Sequence, residues 1–88
     1  MILHPVIELV KLTEENYSKE LNSYFSTIKK VRTTKLFKLI VGAKNDEQLQ
    51  KELLFKKLFG KSYSEKNDYL WRNEIRIFKE VIEEFLIE

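Results

Sequence analysis

Apolar residues recur along the chain at helical spacing. The clearest run is Tyr17, Leu21, Tyr24, Phe25 and Ile28, at +4, +7, +8 and +11. That is one face of a helix with 3.6 residues per turn. Upstream, Val6, Ile7 and Val10 predict a short first helix over residues 5–12. Pro5 suits its first position, where the missing N–H costs nothing. Thr13 then reads as the N-cap of the second helix, with Glu14 and Glu15 favourable in its first turn. Thr33 and Thr34 interrupt the pattern. Leu36, Phe37, Leu39, Ile40 and Val41 predict a third short helix, and Gly42 stops it. The β-branched end of that segment suits a strand as well.

Asn45 opens a fourth helix, with Gln48 three residues on as in a capping box. Leu49, Leu53, Leu54 and Leu58 line its inner face, Phe55 and Phe59 sit beside them, and Gly60 ends it. Ser62 with Glu65, or Ser64 alone, caps a last helix over residues 65–87. Trp71, Ile75, Phe78, Ile82 and Phe85 form one stripe on it, and Leu70, Ile77 and Val81 form a second. The combined arc is wider than one partner helix covers, so this helix reads as the rod on which the others pack. Glu74 falls inside the arc. A buried carboxylate needs a partner, so either a basic side chain reaches it or the helix is open to water there. The expected fold is all-α, a compact bundle of four to five helices with a long C-terminal helix. Residues 1–88 read as a single domain, with no repeat, low-complexity tract or linker.

Composition narrows the chemistry. A chain of 88 residues buries only about 60–65% of its unfolded surface, which disfavours a deep catalytic pocket. Cysteine is absent, which removes disulfides, thiolate metal sites and cysteine nucleophiles. His4 is the only histidine and lies beside Pro5, where a capping or solvated role is the simpler reading. Glu80, Glu83 and Glu84 have ligand-like spacing, but such runs are usually a solvated face. Two glycines cannot build a phosphate-cradling loop, and no GxSxG elbow occurs. No enzyme, cofactor or small-molecule ligand is expected. The start lacks a basic region, and Pro5 and Glu8 interrupt its apolar run. Later apolar runs fall far short of the ~18 residues a membrane span needs. A cytoplasmic chain without membrane contact is the expectation.

Charge changes the picture most. The chain carries +2 overall, but residues 29–66 hold eleven Lys and Arg against four acids. Residues 1–28 and 67–88 are net acidic. A solvated basic surface paired with the acidic ends is the plain reading. The sharper one is a contact patch for nucleic acid or an acidic partner, through Lys29, Lys30, Arg32, Lys35 and Lys38. Arg72, Arg76 and Lys79 share one side of the last helix, where pairs of Arg76 with Glu80 and Lys79 with Glu83 account for them. Most aromatics sit on packing stripes, with Tyr63 and Tyr69 outside them.

The run Leu54-Phe55-Lys56-Lys57-Leu58-Phe59-Gly60-Lys61, with Tyr63, Leu70, Arg72-Asn73 and Glu83-Glu84-Phe85-Leu86, resembles the N-terminal helical region of a family of uncharacterised bacterial proteins. Trp71 interrupts that family's Leu-Arg-Asn, and its Pro before Gly60 is missing. The resemblance implies no activity. It implies a helical region that precedes a longer helical portion, or a stand-alone version of it. The fourth helix, the turn at residues 60–64 and the last helix also resemble the helix-turn-helix of winged-helix regulators. That likeness implies a reading helix presenting Lys66, Tyr69, Arg72, Asn73 and Arg76, since Arg and Asn read guanine and adenine edges. No hairpin wing follows, and Asp68 and Glu74 oppose phosphate. The functional expectation is a non-catalytic interaction or regulatory module. Its partner is a protein, including a second copy docked through Leu70, Ile77 and Val81. A helix-turn-helix nucleic-acid binder is the alternative.

Overall fold

The computed structural model describes residues 3–87. Four α-helices follow one another: α1 (Pro5–Ser26), α2 (Val31–Val41), α3 (Lys51–Phe59) and α4 (Asp68–Ile87). Short 3-10 turns at Asp46–Leu49 and Glu65–Asn67 precede α3 and α4. Among the described residues there is no strand, so the segment over residues 36–41 is helical.

The two helices expected before residue 28 are one element, α1, broken at Tyr17 (φ −136°, ψ 39°). Thr13 is therefore not an N-cap. Its hydroxyl donates to the Leu9 carbonyl at 2.8 Å from inside the helix. Asn16 does the same to Leu12 at 3.0 Å, and Asn22 to Ser18 at 2.7 Å. Side chains that bond back to the i−4 carbonyl compete with the helix ladder and bend it. They flank the break on both sides. The true N-cap is His4, whose Nδ1 accepts from the Val6 N–H at 3.2 Å, with Pro5 following at the first position.

Thr33 and Thr34 do not interrupt a helix but lie in the first turn of α2. Gly42 ends α2 with its N–H on the Lys38 carbonyl at 3.0 Å. A Cβ there would meet that same oxygen at 3.0 Å, so the close turn favours glycine. Asn45 is an N-cap as expected, but Gln48 reaches back to Lys44 rather than to Asn45, so the capping box does not close. Asn45 Oδ1 accepts from the Gln48 N–H, and Gln48 Oε1 accepts from the Lys44 N–H. They close only a 3-10 turn, however, and α3 starts afresh at Lys51. That restart moves the inner face to Leu54, Phe55 and Leu58 and leaves Leu53 exposed. Gly60 caps α3 in the left-handed region (φ 70°), which needs no Cβ. Asn67 Oδ1 accepts from the Ser64 N–H, closing the turn that feeds α4.

The core lies where α1, α2 and α4 meet. Phe25 stacks on Phe37 with centroids 4.1 Å apart and 2° between planes, and on Phe78 at 5.5 Å. Leu21, Leu36, Ile40, Trp71, Ile75, Val81 and Ile82 complete it. The wide apolar arc of α4 is thus shared by α1 and α2, while α3 packs mainly on α2 and its preceding turn. Glu74 is buried, but neither a basic group nor open water explains it. The Thr33 hydroxyl donates to Glu74 Oε1 at 3.0 Å across the α2–α4 contact.

Candidate interaction surfaces

Three surfaces hold the residues that could meet a partner. The first is the outer face of α2. Lys29, Lys35 and Lys38 line one shallow groove with Ile28, Val31 and Thr34. Lys38 also lines the next groove, with Leu39, Gly42, Gln48 and Lys57. No carboxylate lines either groove. Among the described residues the ion pairs are Lys11–Asp46, Lys51–Asp68, Arg72–Asp68 and Arg76–Glu80. Lys29, Lys30, Lys35 and Lys38 therefore stand without a carboxylate partner. Val31 projects between them, 85% exposed. Arg32 turns the other way, its guanidinium 4.5 Å above the Phe59 ring, and so ties α2 to α3.

The second surface is the exposed side of α4, where the remaining basic candidates lie. Arg72 and Arg76 are answered locally, whereas among the described residues Lys66 has no ion pair and the expected pair of Lys79 with Glu83 does not form. Arg72 Nε sits 2.8 Å from Asp68 Oδ2. Arg76 donates to Glu80 Oε1 at 3.0 Å and to Asn73 Oδ1 at 2.9 Å. Asn73 thus spends its acceptor on its own helix. Lys66 is exposed on the preceding turn and lines neither basic groove. Asp68 is the hub of this end. Besides Arg72 it accepts from the Tyr63 hydroxyl and lies 3.9 Å from Lys51 Nζ, which sits 4.4 Å over the Tyr63 ring. Tyr63, first among its causes, raises the pKa of Lys51 above the ordinary 10.5. The cluster clamps α3 to the start of α4. Tyr63 stood out in the sequence as an aromatic off the packing stripes, but its partners Lys51 and Asp68 carried no signal there.

The third surface is an open groove of about 660 Å³ between the second half of α1 and the end of α4. Tyr17, Tyr24, Phe85 and Leu86 supply its apolar lining, with Glu20, Ser23 and Thr27. Tyr17, expected on the buried stripe, is 53% exposed, because the break in α1 falls on this residue. Tyr24 packs on Phe85 at 5.3 Å and its hydroxyl donates to Glu84 at 3.4 Å. The rim is therefore acidic, with Glu20 and Glu84. Sequence periodicity hid this groove, since in an unbroken helix Tyr17 joins the core face.

The stripe Leu70, Ile77 and Val81 is not such a surface. Val81 is buried in the core, and Leu70 and Ile77 are half-buried. No described helix is long and apolar enough to cross a membrane, and the described residues hold no cluster of three or more His, Asp or Glu that could take a metal. No family model, curated protein or solved structure matches the chain, so the two resemblances rest on their quoted residues alone.

Proposed function

We propose that the protein is a non-catalytic interaction module that takes a protein partner in the groove between α1 and α4. One observation carries the reading. Tyr17 and Leu86, both exposed, lie with the half-buried Phe85 along one open groove. Contiguous exposed apolar surface rimmed by polar groups marks interaction sites. The acidic rim sets the chemistry of the partner: an aromatic or aliphatic side chain flanked by Lys or Arg. Peptides selected from a random library on the folded protein test this. The expected ligands carry an apolar anchor between basic residues, shift the backbone amide resonances of Tyr17, Glu20 and Leu86, and lose binding to Leu86→Asp. Ligands without basic flanks, or shifts confined to α2, would overturn it.

A second reading attaches to the acid-free grooves of α2, whose unpaired lysines suit a nucleic-acid backbone. Contacts of that kind release counterions, so affinity falls steeply with salt and little with sequence. The pairing of Arg72, Asn73 and Arg76 within α4 argues against base reading by that helix. Mobility shifts on random duplexes at rising salt, repeated with Lys35→Ala/Lys38→Ala, measure it. Selection of a defined motif would restore the helix-turn-helix reading instead.

A further inference from the structure

We infer that the occupant of the acidic groove is the basic α2 ridge of a second copy of this chain, forming a homodimer. The inference rests on the groove reading above and names its partner. The groove asks for an apolar side chain set among cations. The chain presents such a group itself: Val31, 85% exposed, in one shallow groove with Lys29, Lys35 and Lys38. No carboxylate is committed to Lys29, Lys30 or Lys35, and no cation pairs with Glu20 or Glu84 among the described residues. Each surface thus lacks the charge that the other offers.

The two surfaces adjoin at the α1–α2 turn, Thr27 lining the groove and Ile28 the ridge, so one contact face can present both. A two-fold axis near that turn sets each groove over the other copy's ridge. Both contacts are then made at once and the assembly closes as a dimer, with no open edge to extend a filament. The expected interface uses the break in α1 and not the Leu70, Ile77 and Val81 stripe.

Charge exchange tests this on the full chain by sedimentation equilibrium from micromolar to millimolar concentration, with helical circular dichroism confirming each fold. Wild type is expected to dimerise. Glu20→Lys/Glu84→Lys and Lys35→Glu/Lys38→Glu, all at exposed sites, should each weaken the dimer by about tenfold or more through like-charge contact. Mixing the two variants should restore association as a heterodimer, because one contact is then wild type and the other has its charges exchanged. Val31→Ala, which changes no charge, should also weaken the dimer. A chain that stays monomeric while its groove binds basic-flanked peptides would overturn the inference and leave the groove reading standing. A monomer whose groove binds no peptide would overturn both. A dimer insensitive to both charge reversals would overturn the inference. So would a monomer whose α2 lysines hold duplex nucleic acid.

Discussion

Two aromatic clusters, both spanning α1 and α4, show how differently one residue class is used. Phe25, Phe37 and Phe78 stack at the centre, each at most 2% exposed. Tyr17 and Phe85 lie about two helical turns away and Tyr24 meets Phe25 edge-on, and these three line an open groove. The first cluster gains a third wall from α2. The second is lined by α1, its C-cap Thr27 and α4, with no residue of α2. An aromatic with two walls keeps one face toward water, and that face is surface a partner can cover. The difference teaches that the number of helices meeting at a point, rather than the apolar stripe itself, separates core from site here.

The largest expected effect tests that division directly. Phe78→Ala should cost about 3–5 kcal/mol in urea denaturation, the range for emptying a packed aromatic site. Phe85→Ala, on the same stripe two turns on, should cost about 1–2 kcal/mol, since the side chain is only partly buried and the site opens to water. Equal losses would erase the distinction between the two clusters.

The sequence made the all-α fold legible because burial follows 3.6-residue spacing wherever a helix runs unbroken. Trp71, Ile75, Phe78 and Ile82 on α4, and Pro5 and Gly60 at helix ends, stand where spacing and capping chemistry put them. The errors have one physical source, the competition of side chains with backbone ladders. Thr13 bonds backward to Leu9 where it was read as opening a helix, and Asn45 caps a 3-10 turn where an α-helix was expected. Each changes which residues face inward by a turn or less, enough to expose Tyr17 and Leu53. The groove followed from that shift, so no periodic pattern could disclose it. The α2 ridge was legible as charge, but the contrast between the unpaired lysines of residues 29–38 and the paired Arg72 and Arg76 on α4 depended on where Asp68 and Glu80 came to lie.

The polar contact buried between α2 and α4 gives the next effect. Glu74 has its hydrogen bond from Thr33 and lies buried at the α2–α4 contact. Thr33→Val keeps the shape and removes the donor, leaving a buried carboxylate without a partner. The expected cost is about 1–3 kcal/mol. Thr33→Val/Glu74→Met should recover most of that loss, since replacing both members of a buried polar pair by apolar groups is close to neutral. If the double variant were no better than the single one, Glu74 would have a role beyond this pair.

The smallest effect lies at the other end of α1. His4 caps that helix through Nδ1, which can accept from Val6 only while the ring is neutral. Partial burial also lowers its pKa below the ordinary 6.5. Protonation would turn the acceptor into a donor and set a positive charge at the positive end of the helix dipole. Below pH 6.5 the unfolded chain therefore holds more protons on this residue than the folded one, and stability falls as pH falls. The stabilisation is fully present above that value and is lost as pH drops through the lower, folded pKa. Thermal unfolding followed from pH 7.5 to pH 5 should show a declining midpoint, about 2–4 °C for a loss at the low end of one helix cap, ~0.5 kcal/mol. His4→Asn keeps a cap that does not titrate and should flatten the slope in that window. An unchanged slope would assign the pH response to the carboxylates and leave His4 a cap without a switch.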